Sequence, residues 1–155
     1  MKVKDMMRKT VYSCDMQTSL NTVALSMWNN DCGCLPVVDA KNLPIGIITD
    51  RDIAIGAALQ HKPLWELQVS DIVGSRPLFS CKTTDDIHGA LQRMQEQGVR
   101  RLPVVNGNGK LAGIVTLGDI FAFVSESGET DLPYKDTLPM LKAVSAHHAE
   151  LKKAG

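Results

Sequence analysis

LPVVDAKNLPIGIITDRDIA, residues 35–54, and LPVVNGNGKLAGIVTLGDIF, residues 102–121, are one phrase written twice, aligned without a gap at an offset of 102 − 35 = 67. A unit that recurs within a chain folds once per copy and packs against its own repeat, so a pseudo-twofold molecule is expected. The positions that persist are Leu35/Leu102, Pro36/Pro103, Val37/Val104, Val38/Val105, Gly46/Gly113, Ile47/Ile114, Thr49/Thr116, Asp52/Asp119 and Ile53/Ile120. The apolar ones read as core. The threonine and the aspartate do not.

The flanks repeat as well. Val11-Tyr12-Ser13-Cys14 and Leu78-Phe79-Ser80-Cys81 predict a short extended piece in each copy. Leu20, Val23, Ala24 and Met27 fall on one face of a helix expected from about 19 to 30, and Ile87, Ala90, Leu91 and Met94 do the same from about 86 to 97. Thr18 and Asp85, again 67 apart, are the expected N-caps. A β-hairpin follows in each copy, with strands at 35–39 and 44–48, then at 102–106 and 111–115. Ala40-Lys41-Asn42 and Gly107-Asn108-Gly109 supply the turns. Nearly continuous apolar runs suit strands covered on both faces. A second helix starts at Thr49 and at Thr116. The predicted class is α+β, with two β-α-β-β-α repeats: a first copy over 1–62, a second over 63–125, and a tail over 126–155 carrying a helix of its own. Val3-Lys4-Asp5-Met6-Met7 and Val69-Ser70-Asp71-Ile72-Val73 open the copies at an offset of 66, so one residue is inserted between these openings and the strands that follow.

With 17 basic against 17 acidic side chains, the chain has no cationic excess to displace counterions from a phosphate backbone, and nucleic acid is excluded as the expected partner. No run of about 18 apolar residues is present to span a membrane, and MKVKDMMRKT lacks the apolar stretch of a secretory signal. A cytoplasmic protein is expected. Cys14 and Cys81 occupy equivalent positions and read as buried structural thiols. Cys32-Gly33-Cys34 is C-x-C with no second pair at zinc spacing, so no metal site is expected. His61, His88, His147 and His148 receive no chemical role.

Gly46-Ile47-Ile48-Thr49-Asp50-Arg51-Asp52 and Gly113-Ile114-Val115-Thr116-Leu117-Gly118-Asp119 share the form G-h-h-T-x-x-D at a strand-to-helix junction. Free N–H groups and the positive end of the helix dipole favour an anion at such a point. A carboxylate one turn in can accept hydrogen bonds from ribose hydroxyls. The same spelling is also a capping box, which needs no ligand. Arg100-Arg101, adjacent cations ahead of a buried strand, suit a phosphate, the alternative being a solvated edge or pairing with Asp or Glu; their counterparts in the first copy are Gly33-Cys34, so the two sites differ chemically.

On L-P-V-V-D, L-P-V-V-N, G-I-I-T-D-R-D, G-I-V-T-L-G-D and the duplication itself, residues 3 to 125 resemble a tandem pair of CBS domains, the arrangement called a Bateman module. The resemblance implies two clefts between the copies that take AMP, ADP, ATP or another adenosyl ligand such as S-adenosylmethionine. By the same resemblance, one cleft would use Thr116, Asp119, Arg100 and Arg101, with base contacts near Thr10, Val11, Cys32 and Gly33. The other would use Thr49, Arg51 and Asp52, with Arg76, Pro77, Leu78 and Val99 nearby. The arginine pair ranks the Asp119 cleft first. A homodimer is also implied. With no effector domain in the sequence, the expected function is a regulatory ligand-binding module that signals to a partner protein. The alternative is a ligand-free dimerisation scaffold. Enzymatic activity is not expected, because no nucleophile and base occur together, and no catalytic cofactor is called for.

Overall fold

The computed structural model describes residues 1–120; the tail expected at 126–155, with its helix, lies outside the described residues. The elements are α1 (Val3–Met6), α2 (Leu20–Asn29), β1 (Cys34–Val38), β2 (Pro44–Thr49), α3 (Asp50–Gln60), a 3-10 turn (Leu64–Glu66), α4 (Ser70–Val73), β3 (Cys81–Lys82), α5 (Ile87–Gln97), β4 (Arg101–Val105) and β5 (Leu111–Thr116). This is the α+β order expected for each copy. The extended piece of the first copy is reduced to a single parallel bridge, Cys14 to Val37, whereas in the second copy it forms the two-residue β3.

The chain divides into two compact units. The first comprises Lys9–Leu78 and the hairpin tip Val105–Gly113; the second comprises, among the described residues, Met1–Arg8, Phe79–Val104 and 114–120. The opening segments are therefore exchanged with respect to the sequence copies 1–62 and 63–125. The hydrogen bonds explain why. In the second unit Val3 N–H donates to the Asp85 carbonyl at 2.9 Å and Lys4 N–H to that of Thr83 at 3.1 Å. In the first, Val69 N–H donates to the Thr18 carbonyl at 3.0 Å and Ser70 N–H to that of Met16 at 2.9 Å. These are the same bonds in both units, and each opening grips the turn of the other copy.

Each unit has its own core. In the first, β1 runs antiparallel to β2 with Cys34 opposite Thr49 and Val37 opposite Gly46, and Leu20, Val23, Leu35, Val37, Ile48, Leu67 and Val69 are fully or almost fully buried beside them. In the second, sheet order is β3-β4-β5, and Val3, Ile87, Met94, Leu102, Val104, Val115 and Ile120 fill the interior. Burial pushes the thiols of Cys14 and Cys81 up to about 12, which keeps them protonated and unreactive at neutral pH, in keeping with a packing role.

The helix caps correct the sequence reading by one residue. Ser19 caps α2, accepting the N–H of Thr22 at 3.2 Å, and Asp86 caps α5, accepting that of His88 at 3.0 Å. Thr18 and Asp85 are engaged by the preceding turn instead. Thr18 Oγ1 accepts from Asp15 N–H at 3.2 Å, and Asp85 Oδ2 accepts from Lys82 N–H at 2.9 Å. A local side-chain turn has outcompeted the cap. Both hairpins close alike. Asp39 Oδ1 accepts from Lys41 and Leu43 N–H, and Asn106 Oδ1 from Asn108 and Lys110 N–H, while Asn42 and Gly109 take φ of 62° and 76°.

Gly56 on α3 lets that helix pack closely against Ile72 of α4. A Cβ there would lie 2.2 Å from Ile72 Cδ1 and 2.9 Å from its Cγ1. Gly56→Ala is expected to destabilise the protein by about 1–3 kcal/mol through overpacking, although alanine favours helix by about 1 kcal/mol. Urea unfolding checks the sign, and adding Ile72→Ala should recover part of the loss as a non-additive coupling.

Candidate ligand site

β2 ends at Thr49 and α3 begins at the next residue; β5 ends at Thr116 and the chain turns helical at Leu117. Thr49 keeps the extended backbone of the strand, with φ −118° and ψ 162°, which lets its hydroxyl reach forward over the unbonded amides of the helix. Its Oγ1 accepts the N–H of Asp52 at 3.1 Å, and Asp52 Oδ2 accepts the N–H of Thr49 at 2.9 Å. In the second unit Thr116 Oγ1 accepts the N–H of Asp119 at 3.2 Å. Asp119 Oδ2 accepts both the N–H of Thr116, at 3.0 Å, and its hydroxyl, at 2.6 Å. Both T-x-x-D sequences are thus reciprocal capping boxes.

Capping engages one oxygen of each carboxylate. The other meets an arginine: Asp52 Oδ1 accepts from Arg76 Nη1 at 2.9 Å, and Asp119 Oδ1 from Arg8 Nε at 2.5 Å. An ionised carboxylate offers roughly four acceptor positions over its two oxygens, so capping and recognition of a further donor are compatible. Partial burial pushes the Asp52 carboxyl up, but hydrogen bonds from Arg76 and Thr49, with the nearby guanidinium charge, outweigh it and hold the group below the usual carboxylate value.

The sequence-derived residues distribute as follows. Thr49, Asp52 and Arg76 converge in the first unit. That unit also holds exposed Arg51 and Pro77, and half-buried Leu78. Thr10, exposed, and Val11, Cys32 and Gly33, half-buried, belong to it too. The Gly33 carbonyl accepts the N–H of Asp50 at 3.2 Å. A Cβ on Gly33 would approach Asp50 Oδ2 to 3.1 Å. In the second unit the Arg100 carbonyl accepts the N–H of Leu117 at 2.9 Å, which sets the Arg100 backbone against the residue that follows Thr116. Val99 packs against the core of that unit.

Arg8 was not legible as a site residue. It aligns with Ser75 at the offset of 67 and with Gly74 at 66, so the repeat gives it no counterpart. A groove of about 690 Å³ in the first unit was likewise unforeseen; it is largely apolar, with Met27, Trp28, Ile53 and Ala57 among its lining, and takes in Asp31 and Asp50. Among the described residues no group of three or more His, Cys, Asp or Glu gathers as a metal site would require, and no helix is long and apolar enough to cross a membrane.

The CBS domain family matches residues 3–56 and 69–126; the chain belongs to it. It is 40% identical over 98 residues to an uncharacterised protein of Methanopyrus kandleri, a stretch covering 63% of this chain and half of that one. It is 31% identical over 123 residues to the homoserine O-acetyltransferase of Methanobrevibacter ruminantium, covering 79% of this chain and 24% of the enzyme. Among solved structures, the CBS domain pair of MJ0100 in complex with 5′-methylthioadenosine and S-adenosyl-L-methionine superposes with a TM-score of 0.70 at 26% identity, covering 79% of this chain and 98% of that one. CBSX2 in complex with AMP gives 0.69 at 25%, covering 83% and 98%.

Because the folded carboxyl of Asp52 lies below its ordinary value, its contribution to stability is complete above that ordinary value, about 3.9, and is lost as pH falls through the lowered one. Arg76→Ala removes one cause of the lowering. The acid-unfolding midpoint, followed by circular dichroism, should therefore move to higher pH in that variant; an unmoved midpoint would show the pair to be inert.

Proposed function

We propose that this chain is a regulatory module that senses an adenosine-containing ligand, AMP, ADP, ATP or S-adenosylmethionine, and passes its state to a partner protein. The observation that carries this reading is the threonine–aspartate pair repeated at two strand-to-helix junctions, each with a guanidinium on the outer carboxylate oxygen. Ribose hydroxyls suit the aspartates; phosphate suits the helix starts and Arg51, Arg76, Arg100 and Arg101. The ligands held by MJ0100 and CBSX2 support the choice of class. The likeness to part of a homoserine O-acetyltransferase supports output through an attached or associated protein. The four cysteines are all free, which supports a reducing, cytoplasmic setting.

Thermal unfolding tests this directly. A ligand at 100 times its dissociation constant adds about 2.7 kcal/mol, a rise of roughly 5–10 °C in midpoint for a chain of this size. AMP, ADP, ATP or S-adenosylmethionine is expected to give such a rise. Asp119→Ala should reduce it more than Asp52→Ala, given Arg100 and Arg101. No rise with any of the four would leave the ligand-free scaffold as the better reading.

Self-association accompanies the proposal. Leu25 and Trp28 on α2 and Ile55 and Leu59 on α3 are exposed, Trp28 by 83% and Leu59 by 75%, and apolar groups left in water in this number suit pairing with a second copy. Light scattering after size exclusion should report a dimer for the native chain and a monomer for Trp28→Glu combined with Leu59→Glu.

A further inference from the structure

The two arginines on the aspartates come from positions that the repeat does not relate. Their separation is 76 − 8 = 68, whereas the openings repeat at 66 and the strands at 67. Each nevertheless ends on the carboxylate oxygen that the capping box leaves over. Stability does not explain the agreement. The Arg76 side chain is 52% exposed, and ion pairs in such settings contribute little to folding. A guanidinium beside that oxygen has a different use: it fills the position that a ribose hydroxyl would donate to, and it stands within a side chain's swing of the helix start where phosphate would lie.

Resting on the sensing function above, we propose that Arg76 is an exchangeable internal occupant of the Asp52 carboxylate. Before a ligand arrives it satisfies Oδ1. On binding, the ribose takes that oxygen and Arg76 transfers to the phosphate. No covalent bond changes; one charge-assisted hydrogen bond is traded for another. Arg76 Nε also donates to the Val73 carbonyl, at a long 3.3 Å; the guanidinium is a rigid planar fork, so it transfers as a whole by rotation about the single bonds of its stem and gives up that bond too. At the Asp52 junction the device favours a ligand that carries phosphate over a nucleoside or S-adenosylmethionine. A nucleoside must displace the arginine with nothing to offer it, whereas a nucleotide gives it a new partner.

Titration calorimetry with adenosine and with AMP, on the native chain and on Arg76→Ala, both carrying Asp119→Ala so that the Asp52 junction is read alone, separates the possibilities. The expected result is a crossed response: Arg76→Ala binds adenosine about two- to fivefold more tightly and AMP about tenfold or more weakly. Arg76→Lys, which keeps the charge on a different stem, should retain most of the AMP affinity. Tightening of both ligands by Arg76→Ala, weakening of both, or no change in either would overturn the exchange while leaving the sensing function in place. Failure of both adenosine and AMP to bind the unsubstituted chain would overturn the sensing function, and the exchange with it.

Discussion

A threonine and the aspartate three residues later, each holding the other's backbone amide, make the joint on which both copies turn. The end of a buried strand must become the start of a helix within one residue, and the first helical amides have no partner inside the helix. The capping box supplies those partners at once. It also fixes the aspartate: with Oδ2 on the threonine amide, Oδ1 can face only away from the helix axis, where an arginine finds it in each unit. The geometry that finishes the fold is therefore the geometry that presents an acceptor.

This dual use bears on how the motif is read. Capping and recognition are usually set against each other, as if a carboxylate turned back on its own chain were spent. It is not spent, because its oxygens have capacity beyond one amide. The two junctions differ in what remains. Both aspartates are held by the amide and the hydroxyl of their threonine, but the Asp119 side chain is only 8% exposed and that of Asp52 is 19% exposed. Equivalent letters thus give acceptors of unequal exposure, a difference that no alignment of the copies would reveal.

The order of elements, both hairpins and the T-x-x-D junctions were legible because they follow from local chemistry repeated at a fixed offset. Asn42 and Gly109 take left-handed backbone where the turns required it, and the apolar stripes of α2 and α5 are the buried ones. The caps were misplaced by one residue because Thr18 and Asp85 are as competent for a turn as for a cap, and only their partners, Asp15 and Lys82, decide. The exchange of opening segments was invisible for a deeper reason. Self-similarity reports which residues are alike, not which copy they grip, and Val3 and Val69 make the same bonds to either turn. Arg8 escaped for the same reason: its role depends on the unit it enters.

The exchanged openings give the ion pairs a mechanical meaning. Arg8 is fixed to the sheet edge of the second unit, its N–H donating to the Ile114 carbonyl at 2.9 Å and its carbonyl accepting from Ile114 N–H at 3.1 Å. Arg76 sits three residues beyond the end of α4 and bonds back to it through Val73. Each opening segment is thus tied at its far end to the aspartate of the unit it has entered. A tie of this kind contributes little to folding, but a modest free-energy difference is enough to shift the balance between two arrangements when a ligand discriminates between them. A strong ion pair would resist that shift and a missing one would leave nothing to trade; a half-exposed guanidinium on a capped carboxylate lies between the two.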